Sequence, residues 1–187
     1  AETLREEFPD RKIIVIDSLC ASLGQGLLVD YALRMKDEGK SMEETAQWVQ
    51  DHLQNICHLF TVDDLKYLQR GGRISKTTAL LGTMIGIKPV LHVDEEGKLV
   101  PLSKVRGRKQ SIQALVDKME QNIGSYRSQK QPIFISHGDC EEDAKYLAGL
   151  VKERFGYNEC LINIIGPTIG AHAGPGTLAL FFLGDVR

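Results

Sequence analysis

Three stretches of this chain bring together residue types that can handle an anionic ligand. The longest is Leu65–Val90, LKYLQRGGRISKTTALLGTMIGIKPV, which is basic at Arg70, Arg73 and Lys76 and then almost uncharged from Thr77 to Ile87. The glycine pair Gly71-Gly72 stops a short helix, because glycine has poor helix propensity and adopts the left-handed backbone of a helix end. Arg73 is thereby placed at the mouth of an apolar segment that carries Leu80, Leu81, Met84, Ile85 and Ile87 beside the small Gly82, Thr83 and Gly86. A basic rim leading into an apolar, small-residue segment suits a ligand that is anionic at one end and apolar at the other. The same residues fit a plain buried helix with a solvated arginine before it. The second stretch is Gly166–Gly176, GPTIGAHAGPG, with four glycines and two prolines in eleven residues around one imidazole, His172. It reads as a loop between two strands whose exposed amides and histidine can hold an anion, or as a structural turn with a satisfied histidine. The third, Lys104–Lys109, places four cations in six residues at a strand end. That is a phosphate-binding or protein-docking patch, or a solvated helix start in which the cations are mildly unfavourable.

Other chemistry is harder to place. His137 follows a strand and precedes Asp139, His52 and His58 lie on or at the end of a helix, and His92 sits within a strand; none has a partner visible in the sequence. Cys20, Cys57, Cys140 and Cys160 are far apart, form no CxxC pair and have no histidine at ligand spacing, so neither a disulfide framework nor a metal site is expected. Gly24-Gln25-Gly26 after an apolar run lacks the third glycine and the later acidic residue of a dinucleotide loop. No nucleophile elbow, phosphate-binding P-loop or HExxH helix is present, and the expectation is a non-enzymatic protein without a cofactor.

The elements that must position these residues are set by patterning. With 187 residues, 42% hydrophobic content and a net charge of −2, the chain can bury a sizeable core and gives no electrostatic case for nucleic acid or an anionic membrane. Its apolar runs are too short to span a bilayer and its first residues are not a signal peptide, so it reads as cytoplasmic. Lys12–Asp17, with its IIVI run, predicts a strand buried on both faces. A helix is expected from Ser18–Gly26 to Gly39. Ser41-Met42-Glu43-Glu44 is a capping box opening a helix through Ala46, Val49, Leu53 and Ile56. Leu59–Val62 reads as a short strand and Asp63 as the cap of the helix ending at the glycine pair. This order suits an α/β layer with a parallel sheet. Beyond it, Ile87–Val93 and Lys98–Val105 form an antiparallel hairpin about Asp94-Glu95-Glu96-Gly97. Helices are expected over Gly107–Ile123 and, capped by Asp139, over Glu141–Phe155. Strands are expected at Pro132–Ser136, Cys160–Ile165 and Thr177–Leu183. The fold class is α/β, with residues 1–74 as the remaining part of a first domain and residues 75–187 as a second, mixed-sheet domain.

Asp64-Leu65-x-x-Leu68-x-Arg70-Gly71-Gly72-Arg73-Ile74, then Gly86-Ile87-Lys88-Pro89, Gly97-Lys98 with basic Lys104–Lys109, and finally Gly170-x-His172-x-Gly174-Pro175-Gly176 together resemble the DegV family of fatty-acid-binding proteins. The likeness extends over essentially the whole chain, including VIDSLCASLGQG near its start. It implies two α/β domains with a long-chain fatty acid between them, whose carboxylate a bacterial fatty acid kinase phosphorylates for phospholipid synthesis. The kinase supplies nucleotide and metal, and the carrier orients the carboxylate. By this resemblance His172 is the carboxylate-side histidine and Arg73 the basic residue beside the ligand head, with Gly170 in the same motif. Arg106 and Arg108, with Lys104, form the kinase-docking patch. Met84, Ile85, Ile87 and Ile169, together with Leu80, Leu81, Ile165, Leu178 and Phe181, are candidates for the acyl tunnel or for plain core. The family's initial strand and its Thr-Ser-Gly-Thr-type loop do not appear, so a fragment lacking an N-terminal segment is expected. Two other readings compete: a kinase-related enzyme that binds a small carbonyl substrate covalently through His172, and a protein that only docks on a partner through Lys104–Lys109.

Overall fold

The strand Ile56–Thr61 (β1) is buried at every residue, and its side chains divide alternately between two cores. The computed structural model describes residues 2–75, 86–158 and 160–187. Among these, β1 joins β2 (Ile87–Val93), β3 (Leu99–Arg106), β4 (Ile133–His137), β5 (Cys160–Ile164) and β6 (Leu178–Leu183). They form one six-stranded sheet in the order β3-β2-β1-β6-β4-β5. Every pairing is antiparallel except that of β4 with β5. Seven α-helices among the described residues accompany it: α1 (Glu2–Glu7), α2 (Leu23–Asp37), α3 (Met42–Asp51), α4 (Leu65–Arg70), α5 (Arg108–Asn122), α6 (Glu141–Phe155) and α7 (Pro167–Ala173).

Because side chains alternate along a strand, β1 sends Cys57 and Leu59 to one face while β6 sends Leu178, Leu180 and Phe182 to the same face. There they meet Ile112, Leu115 and Met119 of α5 and Leu147 and Val151 of α6. Ile56 and Phe60 of β1, with Phe181 and Leu183 of β6, point to the opposite face, which α2, α4 and α7 cover through Leu27, Leu28, Leu65, Leu68 and Ala173. The result is an α/β sandwich of three layers with a mixed sheet. β1 lies before position 74, and it pairs with β2 and β6 from beyond position 75.

Much of the predicted punctuation holds. The capping box is formed: Ser41 Oγ accepts from the Glu44 N–H at 3.2 Å, and Glu44 accepts from the Ser41 N–H at 2.8 Å. The hairpin of β2 and β3 turns at Gly97, whose φ of 79° needs glycine. Asp94 steadies that turn by accepting from the N–H groups of Glu96 and Lys98 at 2.9 and 2.8 Å.

Other expectations are corrected. Lys12–Asp17 forms no strand: Ile14 and Val15 are exposed, and a β-branched run without a neighbouring ladder stays irregular. The sheet is not parallel at β1, whose neighbours both run against it. Ile56 begins β1 instead of continuing α3, which ends where the His52 ring bonds back to the Trp48 carbonyl at 2.8 Å. Asp64, not Asp63, caps α4, accepting from the Lys66 N–H at 2.9 Å. Asp139 has φ 55° and does not cap α6; that helix starts after Cys140, with Glu141, Glu142 and Asp143 in its first turn complementing the helix dipole. Gly166–Gly176 is not all loop. Pro167 at the first helical position presets the backbone and Gly174 at φ 82° ends the turn, so the residues between wind into α7. No helix among the described residues is long and apolar enough to cross a membrane.

Losing the N-cap oxygen of α3 orphans one helix amide. Ser41→Ala is expected to lower the unfolding free energy by about 1 kcal/mol, read as a lower urea midpoint at unchanged slope.

Candidate functional site

A cavity of about 530 Å3 opens over the face of the sheet covered by α2, α4 and α7. Phe60 of β1, Val93 of β2, Ala179 and Phe181 of β6, Leu68 of α4 and Ile169 of α7 line its apolar walls, with Leu99 and Ile165 beside them. Polar groups are fewer than apolar ones. Arg73 and Lys98 stand exposed at the mouth, and His172 reaches in from α7. A wall of this kind binds a chain by burial and fixes one end by charge.

The His172 ring has one nitrogen closed off. Its Nδ1 is buried with no hydrogen-bond partner among the described residues and packs on Gly71 at the end of α4. Nε2 is therefore the nitrogen through which the ring can meet a ligand. Arg73 comes after Gly72 (φ 71°), and its N–H bonds back to the Leu68 carbonyl at 2.8 Å, which fixes where the side chain leaves the turn.

Two further polar features sit within the apolar lining. Ser22 precedes α2 at φ 54° and ψ −139°; it does not cap the helix, and its hydroxyl donates to Ser136 Oγ of β4 at 3.1 Å. His58 of β1 is almost wholly buried, edge-on to the Phe181 ring at 5.4 Å. Its Nδ1 bonds to the Ile56 carbonyl at 3.0 Å and its Nε2 has no partner among the described residues. Burial, helped by the nearby Arg187 guanidinium, pushes the His58 pKa down to about 3, so the imidazole is neutral.

Of the sequence-predicted site residues, the fold brings His172, Arg73 and Ile169 together at the cavity, along with Ile165 and Phe181. Gly170 lies on the same short helix, facing Ile165. Ile87 starts β2 away from the cavity, and Leu178 points into the opposite core. Leu80, Leu81, Met84 and Ile85 lie outside the described residues. Lys104 and Arg106 are exposed on β3, whereas Arg108 is largely enclosed. Arg108 Nε donates to Asp143 Oδ2 at 2.8 Å, and its NH1 lies 3.7 Å from Asp63 Oδ1, a carboxylate that also accepts from Lys88 Nζ at 2.7 Å. Sequence reading missed His58, Ser22, Ser136 and Lys98. The alternation in ICHLFT carried a signal for His58, since it shares the face of Ile56 and Phe60; the Ser22–Ser136 contact joins residues 114 apart and had none. Among the described residues no cluster of side chains could hold a metal ion.

A family model described as an uncharacterised protein of the DegV family matches residues 1–185. The chain is 47% identical over 186 residues to a DegV domain-containing protein of Clostridium perfringens, aligning over 100% of itself and 63% of that protein. In structure it is similar to a fatty acid binding DegV family protein from Streptococcus agalactiae, with TM-score 0.82 and 30% identity over 98% of this chain and 64% of that one. It is similar too to the Streptococcus pneumoniae fatty acid kinase (Fak) B3 protein loaded with linoleic acid, with TM-score 0.88 and 27% identity over 98% of this chain and 64% of the other. The chain belongs to the DegV family. It spans slightly under two thirds of the length of these relatives.

A buried neutral imidazole ties stability to pH. In the unfolded chain His58 takes up a proton below about pH 6.5, while in the fold it stays neutral until about pH 3. The unfolded state therefore binds more protons across this window, and stability falls as pH drops through it, by up to about 1.4 kcal/mol per pH unit from this one group. Comparing urea unfolding of the wild type with His58→Gln from pH 6.5 to 5 is expected to show a flatter dependence in the variant.

Proposed function

We propose that this protein holds a long-chain fatty acid in the cavity above the sheet and presents its carboxylate to a fatty acid kinase. The observation that carries the reading is the cavity itself: about 530 Å3 of mostly apolar lining that also carries Arg73, Lys98 and His172. Its volume is of the size small-molecule ligands occupy, about 300–1,000 Å3. Each buried methylene contributes on the order of 0.8 kcal/mol, so an acyl chain against Phe60, Val93, Ile169 and Phe181 supplies most of the affinity. A carboxylate at the mouth accepts from His172 Nε2 and faces the Arg73 charge, where a second protein can reach it. Residues from both sides of position 74, from Ala21–Arg73 and from Val93–Phe181, line this space, in keeping with a ligand held between two parts of the chain. The protein binds and orients while the kinase performs phosphoryl transfer, and the product enters phospholipid synthesis in the bacterial cytoplasm. An apolar wall suits this ligand better than a small hydroxylated carbonyl compound, which needs a polar partner for each oxygen.

The docking surface in this reading is the exposed side of β3, through Arg106 and Lys104. Arg108 contributes by anchoring: held by Asp143 and Asp63, it fixes the start of α5 beneath that strand.

Two outcomes test the reading. In the delipidated full-length protein, His172→Ala is expected to weaken rebinding of a fluorescent long-chain acid such as cis-parinaric acid by roughly ten- to a hundredfold, the loss of one hydrogen bond to a charged group; unchanged affinity removes His172 from the head site. Arg106→Glu is expected to abolish association with a fatty acid kinase in a pull-down and to leave acid affinity within about twofold, since an exposed charge remote from the cavity adds little to it. Retained association removes Arg106 from the docking surface.

A further inference from the structure

Helices α4 and α7 meet by exchanging rings. Gly71, which ends α4, receives the imidazole of His172 from α7; a methyl group at Gly71 would overlap Nδ1 and crowd Cγ and Cε1. Gly174, which ends α7, receives the phenol ring of Tyr67 from α4; a methyl group there would overlap Cδ2 and Cγ of that ring. Each helix thus closes on a residue without a side chain, and each notch is filled by the aromatic ring of the other helix. Gly71 has an ordinary helical backbone, φ −73° and ψ −3°, so any residue could adopt its conformation. What excludes a side chain at this position is the ring lying against it.

We infer that Gly71 is a positioning residue for the head site: its missing side chain sets the depth and rotation of the His172 ring, and so the direction of the Nε2–H that meets a carboxylate. The inference rests on the fatty-acid reading for its ligand and on geometry alone for the ring. With Gly71 in place, Nδ1 lies buried against the end of α4 with no hydrogen-bond partner among the described residues, which leaves Nε2 as the nitrogen turned to a ligand. Adding a methyl group drives the ring away from the end of α4, which turns the donor off its line and opens Nδ1 to other partners. The interlock also links the imidazole of His172 to the guanidinium at the mouth, because Arg73 lies two residues beyond Gly71 on the same turn. A shift of one helix end against the other moves His172 relative to Arg73.

The test is a double-mutant cycle on the full-length protein with cis-parinaric acid as probe, beside nitrogen-15 NMR of the histidine rings. Gly71→Ala is expected to weaken binding about tenfold when His172 is present and to have no effect in a His172→Ala background, where the notch is empty and a methyl group fits. In the ligand-free protein Gly71→Ala is expected to shift the His172 ring nitrogen resonances, because the methyl group displaces the ring from the end of α4. An equal loss in both backgrounds overturns the inference, because the methyl group would then act on the fold and not through the ring. No loss in either, with unchanged ring shifts, overturns it as well. If His172→Ala alone leaves affinity unchanged, or the probe does not bind the wild type, the head-site reading fails while the ring shifts still decide whether Gly71 sets the imidazole.

Discussion

Burial of β1 and β6 on both faces is the constraint on which the rest of the molecule depends. Two adjacent strands with every residue buried demand a layer of helices on each side, and the layers serve different ends. Against α5 and α6 the sheet packs large, fully buried side chains, among them Phe182, Met119 and Leu115. On the other side α2, α4 and α7 seal only the edges, through Leu27, Leu65 and Ala173, and a cavity remains over Phe60 and Phe181. Antiparallel pairing lets two widely separated segments lie side by side at this point, which is how a loop-and-helix motif ending at Gly176 and a turn ending at Arg73 come to frame one opening.

The charged groups are separated as well. Asp63, at the end of β1, stands between Lys88 of β2 and Arg108 at the start of α5, and Asp143 of α6 holds the other side of that guanidinium. Such partly enclosed pairs act mainly by fixing geometry, since most exposed ion pairs contribute less than about 1 kcal/mol. Here they fix the junction where β3 passes into α5. Arg108 is thus neutralised in place while Arg106, two residues earlier, points outward.

How far the sequence reveals this depends on the range of each interaction. Signals spanning a few residues are legible: the capping box at Ser41 and Glu44, the glycine turn at Gly97, the stop at Gly71 and the amphipathic run of α5. Elements that depend on distant partners are not. The IIVI run of residues 13–16 has the composition of a strand, but composition cannot supply a neighbouring ladder. The glycines of residues 166–176 read as loop because their number obscured their placement, at the two ends of a helical turn that Pro167 starts. Arg73 and His172 are legible as cationic and imidazole groups near small residues, and their meeting at one mouth rests on the family resemblance. The Ser22–Ser136 contact and the depth of His58 are set by the crossing of α2 over the sheet, which no local pattern encodes.

Ser22 carries a consequence for how the cavity is kept. A serine at φ 54° and ψ −139° occupies a region that costs a residue with a side chain about 1–3 kcal/mol, and a neutral hydrogen bond returns only about 0.5–1.5 kcal/mol. The Ser136 contact offsets part of this strain, and the packing of Leu27 and Leu28 of α2 in the core holds the helix start in place beside it. The start of α2 is in this sense a braced corner: the chain enters the helix in a backbone conformation that contacts from β4 and from the core impose on it.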